Sequence, residues 1–114
     1  MFYGLKSGNK YHAVKATYDG LIFDSKLELN RYIELKLLER AGKITALQRQ
    51  VKYILINKSK YGREISYIAD FQYIENGKLI VEDTKSIATK TRVYLLKKRL
   101  MAERYGIIIS EIYR

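Results

Sequence analysis

Asn76-Gly77 is the sharpest turn signal in the chain. A two-residue type I′ hairpin needs positive φ at both central positions, and Asn-Gly supplies it at the lowest steric cost. With the turn placed there, residues equidistant from it pair across the hairpin, so Asp70 faces Asp83. Counted outward from Glu75 and Lys78, this is a non-hydrogen-bonded pair, with Cα atoms expected about 4.5 Å apart. Two like charges so placed are unfavourable in a sheet, and a divalent cation would remove the conflict. Mg²⁺ suits such a half-site, since it takes one or two carboxylates and fills its remaining positions with water and phosphate oxygens. Lys85 lies two residues beyond Asp83 and shares its face. The bland alternative is a pair of solvated strand-end carboxylates, one of them neutralised by Lys85 in a surface ion pair.

The neighbours set the context of this trio. Strict alternation puts Ile68, Gln72, Ile74, Leu79 and Val81 on the same face, mostly toward a core, and Tyr67, Ala69, Phe71, Tyr73 and Ile80 on the other. Both faces are apolar, which predicts a sheet covered on both sides. Glu82 is adjacent to the trio but points away from it and is not expected to be a ligand.

The elements that must position the trio follow from pattern and punctuation. Residues 1–16 show no periodicity and read as a basic arm carrying Lys6, Lys10 and Lys15; His12 within it reads as solvent-exposed. Asp19-Gly20 predicts a short hairpin over 17–23. A helix over 25–41 follows, with Gly42 as its stop, and strands over 45–56, 64–74 and 78–85. A loop over 86–90, a basic helix over 91–105 closed by Gly106, and a strand over 107–112 complete a single domain, 17–114. The expected class is α/β (α+β): a mixed sheet flanked by helices, in the order helix, three strands, helix, strand.

Composition bounds the function. Hydrophobic residues at 47% and charged residues at 30% describe a folded domain and argue against a membrane span. The absence of cysteine excludes thiolate metal sites and disulfides, and one histidine cannot build a His-rich zinc centre. The opening residues lack the apolar core of a signal peptide, so a cytoplasmic location is expected. A net charge of +10 points to a polyanionic partner, nucleic acid first; a basic surface kept for solubility is the alternative.

Asp70 followed by Asp83-Thr84-Lys85 resembles the PD-(D/E)XK nuclease superfamily, whose pattern is an Asp on one strand and Asp/Glu-x-Lys on the next. The segments YDGLIFDSKLELNRYIELKLLERAGK (18–43), YIADFQY (67–73) and IVEDTK (80–85) are similar to a phage and prophage branch related to Holliday-junction resolvases and transposon end-cleaving nucleases. The likeness extends over 11–112, with Ala69 where the superfamily name has Pro and Asp83 where Glu is commoner. It implies a restriction-endonuclease-like core and Mg²⁺-dependent phosphodiester hydrolysis, with Mn²⁺ able to substitute. Asp70, Asp83 and the Thr84 carbonyl would hold the metal, and Lys85 would position water and offset charge on the phosphorane. Products with 5′-phosphate and 3′-hydroxyl ends are implied as well.

Two further residues match the resemblance and have structural alternatives. Glu28 would add a further metal-binding carboxylate from the first helix, but Ser25-x-x-Glu28 is also a capping box. Gln50 would approach the metal, or be a satisfied polar strand residue. Lys90, Arg92, Lys97 and Lys98, with Lys10 and Lys15 of the arm, are candidates for phosphate contacts. Branched DNA cut by a homodimer is the first expectation; a nicking or double-strand endonuclease is the second, and a non-catalytic nucleic-acid-binding protein the rival from another class.

Overall fold

The computed structural model describes residues 15–113, so Lys10, His12 and nearly all of the basic arm lie outside the described residues. The first described elements are β1 (Ala16–Tyr18) and β2 (Leu21–Phe23), a separate antiparallel hairpin. Asp19 at φ 54° and Gly20 at φ 73° form its turn, both positive as a type I′ geometry demands.

Helix α1 (Lys26–Arg40) starts at Ser25, whose hydroxyl accepts from the Glu28 N–H at 3.1 Å. It ends at Gly42, where φ of 76° lets the Lys43 N–H turn back to the Leu38 carbonyl at 2.9 Å. Glu28, Tyr32 and Leu35, spaced four and three apart, form its buried stripe.

Strands β3 (Thr45–Ile56), β4 (Ile65–Glu75) and β5 (Lys78–Thr84), helix α2 (Arg92–Tyr105) and strand β6 (Ser110–Ile112) follow. They build a four-stranded sheet in the order β3-β4-β5-β6, antiparallel except for the parallel β5 and β6 pair. The fold is a mixed α+β domain, and its elements run in the order read from the sequence. Asn76 and Gly77 sit at φ 52° and 76°, and the β4/β5 register runs from Glu75↔Lys78 to Phe71↔Glu82 as the turn dictates. The loop before α2 contains one 3₁₀ turn, Ile87–Thr89. The last strand is shorter than the 107–112 expected. Gly106 at φ 68° closes α2, and the Ile107 N–H is taken by the Met101 carbonyl at 3.3 Å, so pairing with β5 begins only at Ser110.

Two cores sandwich the sheet. Phe23, Tyr32, Leu35, Ile44, Phe71 and Tyr73 pack under α1, with Ile80 against them. Leu55, Tyr67, Ala69, Val81, Tyr94, Met101 and Ile109 pack under α2. Strict alternation fails in β4: Tyr67 and Ala69 face α2, whereas Phe71 and Tyr73 face α1. Ile68 and Leu79, read as core-facing, are about half exposed. The reason lies at one position in each strand. The β3/β4 ladder pairs Arg49 with Phe71 and Val51 with Ala69 but omits Gln50 and Asp70, and Gln50 sits at φ 52°. A left-handed residue inside a strand rotates the chain, and both strands change faces there. Helix α1 therefore packs on one half of the long hairpin and α2 on the other, with Asp70 at the crossover.

Candidate active site

Asp70 and Asp83 were expected as a ladder pair, but the β4/β5 ladder stops one step earlier, at Phe71↔Glu82. In a continued ladder the Thr84 N–H would donate to the Ala69 carbonyl. It donates instead to Asp70 Oδ2 at 2.9 Å, and the Thr84 hydroxyl donates to the same oxygen at 2.8 Å. The Lys85 N–H bonds the Ile112 carbonyl at 2.8 Å, so β5 leaves β4 and continues beside β6. The sheet opens as a wedge with Asp70 on one side and Asp83 on the other, and the two carboxyls are still within hydrogen-bonding reach.

Asp83 is only 5% exposed. Its Oδ2 accepts from the buried Tyr67 hydroxyl at 2.7 Å and lies 3.2 Å from Lys85 Nζ. Burial, with Asp70 next, pushes its pKa up to about 7, against the opposing pull of Tyr67 and Lys85. The Lys85 ammonium also lies 3.9 Å from the centre of the Tyr94 ring, a cation–π contact that fixes its direction. Tyr94 in turn donates to Glu111 Oε2 at 2.7 Å.

Glu28 fulfils half of its capping motif, through its N–H, while its carboxylate turns to the site. Gln50 Nε2 donates to Glu28 Oε2 at 2.9 Å, and the Arg49 guanidinium lies 3.7 Å from the same oxygen. Burial first, then Asp70 and Asp24, push the Glu28 pKa up to about 7, with Arg49 opposing. Gln50, left-handed at φ 52°, gives this amide to α1, and Asp70 is near enough to Glu28 for its charge to act on that carboxyl. Arg49 also stacks on Phe23, 4.2 Å from the ring centre, and donates to the Ile22 carbonyl at 3.0 Å, docking the β1/β2 hairpin beside the site.

An open cleft of about 530 Å³ exposes this group, lined by Gln50, Asp70, Asp83, Lys85, Tyr94 and Lys97 among others. The remaining candidate cations separate. Lys97 lines the cleft, and Arg92 is exposed at the start of α2. Lys90 and Lys98 lie 3.1 and 2.9 Å from Glu111, whose pKa is held well below the usual range, against its burial, by hydrogen bonds from Tyr113, Tyr94, Lys98 and Lys90. Lys15 meets Asp24 at 3.5 Å in an exposed pair of little energetic weight.

A family model described as "Protein of unknown function (DUF1064)" matches residues 8–112. The chain belongs to the DUF1064 family. Comparisons with curated proteins and with solved structures give no match. The stretch shared with the family model includes every candidate site residue named above.

The donor set fits a hard cation. Among the described residues no three His, Cys, Asp or Glu side chains gather as a metal cluster, so the protein would supply two carboxylates at most in close contact, as Mg²⁺ sites often do. Each carboxylate is anchored through Oδ2, leaving Oδ1 of Asp70 and of Asp83 without a donor from the described residues. The raised Asp83 pKa comes first from its own burial and then from the neighbouring Asp70, which the Tyr67 hydroxyl and the Lys85 ammonium offset only in part. Sequence reasoning missed Tyr67 and Tyr94, whose spacing to Asp83 and Lys85 is set only by tertiary packing. It also missed Arg31, which holds Glu82 by two hydrogen bonds of 2.8 and 2.6 Å on the α1 side, where Tyr73 also donates to that carboxylate. Glu82 thus points away from the site, as expected. No helix among the described residues is long and apolar enough to cross a membrane.

Proposed function

We propose that this DUF1064 protein is a metal-dependent endodeoxyribonuclease whose core is Asp70, Asp83 and Lys85. The observation that carries the reading is the wedge between β4 and β5, where the buried Asp83 carboxyl and the partly buried Asp70 carboxyl come within hydrogen-bonding reach beside a largely enclosed lysine in the lining of an open cleft. Holding the Asp83 carboxyl buried beside a second acid is costly for folding, and acids so perturbed in a cleft are typical of functional sites. Its order of elements and its Asp…Asp-x-Lys pattern support a restriction-endonuclease-like ancestry.

Asp70 and Asp83 would hold Mg²⁺ or Mn²⁺ through their Oδ1 atoms, with the Thr84 carbonyl and solvent. When bound, the cation supplies Lewis-acid stabilisation of the phosphate and lowers the pKa of water. Thr84 fixes the Asp70 carboxylate by two hydrogen bonds, and Tyr67 fixes Asp83, so neither must reorganise on binding. Lys85, held between Asp83 and the Tyr94 ring, directs its ammonium at the cleft, where it offsets charge growing on the phosphoryl oxygens and orients the attacking water. Glu28, held by the Gln50 amide on the α1 side, would add a further carboxylate to the metal site. Lys97, which lines the same cleft, would take a phosphate neighbouring the scissile one.

DNA is the substrate favoured by the net charge of +10, and branched DNA cut by a homodimer is the more specific form of the proposal. The test compares the wild type with Asp83→Asn on end-labelled four-way junction and linear duplex in Mg²⁺. Cleavage by the wild type alone supports the reading. Identical behaviour of the two proteins, with DNA binding intact, refutes it and leaves a binding protein. Cleavage of linear duplex at the same rate as junction keeps the nuclease and removes the structural selectivity.

A further inference from the structure

Far along the β3/β4 hairpin from the wedge, residues 57–64 form a tip that the candidate chemistry does not use. The tip is ordered by its own hydrogen bonds: Ser59 and Gly62 exchange backbone bonds of 3.0 and 3.2 Å, and the Tyr61 N–H donates to Ser59 Oγ at 3.1 Å. Every residue of the tip is exposed, and Tyr61, at 88%, is the most exposed of the large apolar or aromatic side chains described. Lys60 Nζ lies 5.2 Å from its ring centre. Lys58, Lys60 and Arg63 have no carboxylate within ion-pair distance among the described residues, and the one acid here, Glu64, is taken by Lys52 at 2.6 Å. This contrasts with Lys90 and Lys98, whose charge Glu111 offsets.

The tip and the cleft lie on one track. Ser66 and Ile68, which continue β4 from Asp70 toward the tip, line the cleft on the same run of strand. At about 3.3 Å per residue the tip stands roughly 25 Å from Asp70. That is the length of about 7 base pairs at 3.4 Å each. Three unpaired cations around a rigidly presented tyrosine combine phosphate contacts with an aromatic face that packs against a sugar or base.

We propose that this tip is a second DNA contact: Lys58, Lys60 and Arg63 bind backbone phosphates, and Tyr61 packs against the strand, about 7 base pairs from the cleaved bond. The inference rests on the nuclease reading for its ligand and adds a site that sets how much flanking duplex the protein needs.

The test measures binding to labelled duplex by fluorescence anisotropy across a salt series, in the Asp83→Asn protein without divalent cation. K58A/K60A/R63A is compared with the intact tip, and Y61A with both. The triple variant is expected to lose roughly 2.7 from the slope of log affinity against log salt, at 0.9 per phosphate contact. Y61A is expected to weaken binding about tenfold with the slope unchanged. Shortening the duplex to fewer than about 7 base pairs on one side of the cleavage position should weaken the intact tip and leave the triple variant unaffected. Since these side chains are all exposed, circular dichroism should show the same fold and melting temperature for each. Equal slopes and affinities with and without the tip cations, in a protein that binds and cuts DNA, overturn the tip alone. Failure of the intact-tip protein to bind any DNA overturns the nuclease reading beneath it. Tighter binding to RNA duplex than to DNA duplex of the same length overturns the proposed ligand.

Discussion

Replacing Asp83 by Asn should stabilise the metal-free protein, and do so increasingly as pH rises. The Asp83 carboxyl is 5% exposed, and its folded-state pKa of about 7 lies above the ordinary 3.8 because burial and Asp70 disfavour its charge. A carboxyl with a raised folded pKa gives its full stability below the unfolded value and loses it as pH climbs through the folded one. The loss therefore falls between pH 4 and 7. At 1.36 kcal/mol per pH unit the gap corresponds to roughly 4 kcal/mol. Asn keeps the acceptor for Tyr67 and carries no charge, so the variant escapes this loss. Urea unfolding of both proteins in chelator at pH 4 and pH 8 measures it. With a slope of about 2 kcal/mol per molar, the variant should gain on the order of 2 M in midpoint at pH 8 relative to its standing at pH 4. Mg²⁺ should reverse the order by stabilising the wild type alone, by about 2.7 kcal/mol at a hundred times its Kd. A stability difference that stays constant or narrows between pH 4 and pH 8 would refute the claim that Asp83 is held at a folding cost.

Three further outcomes probe other parts of the argument. Tyr67→Phe removes a donor that favours the Asp83 carboxylate, so its pKa rises further and the acidic limb of the pH–rate profile should move to higher pH; a limb that stays or moves down contradicts the role given to the hydroxyl. Arg31→Ala leaves Glu82, 1% exposed, without its guanidinium and should cost about 3–5 kcal/mol of unfolding free energy; a loss under about 1 kcal/mol would show that Glu82 is not held as an ion. Gly77→Ala adds a Cβ into open space but at φ 76°, so the penalty is conformational only, about 1 kcal/mol, and an unchanged melting temperature would mean the turn relaxes freely.

Much of the scaffold is written in local sequence. Asn76-Gly77 and Asp19-Gly20 set two turns whose positive φ values are required by those residue types, and Ser25, Gly42, Thr91 and Gly106 bound the helices by local capping alone. The pairing of β4 with β5 followed from the turn, because register propagates residue by residue outward from a two-residue loop. Counting could therefore bring Asp70 to the neighbourhood of Asp83 and put Lys85 on its face.

Counting could not see where the ladder would fail. Thr84 gives its N–H and hydroxyl to the Asp70 side chain instead of to a backbone partner, and Gln50 adopts a left-handed conformation that no strand pattern announces. The first is a competition between side chain and backbone for one donor, the second places the Gln50 amide against Glu28 of α1, and both are settled only when the strands and helices are assembled. The same holds for the charges. Whether Glu28 caps a helix or joins the site, and whether Lys90 and Lys98 are free or bound by Glu111, depends on residues distant in the chain. Local residue chemistry thus determined which elements form and roughly which acids meet. Tertiary packing decided how they meet: across an opened wedge, anchored through one oxygen each, with Tyr67 and Tyr94 behind them.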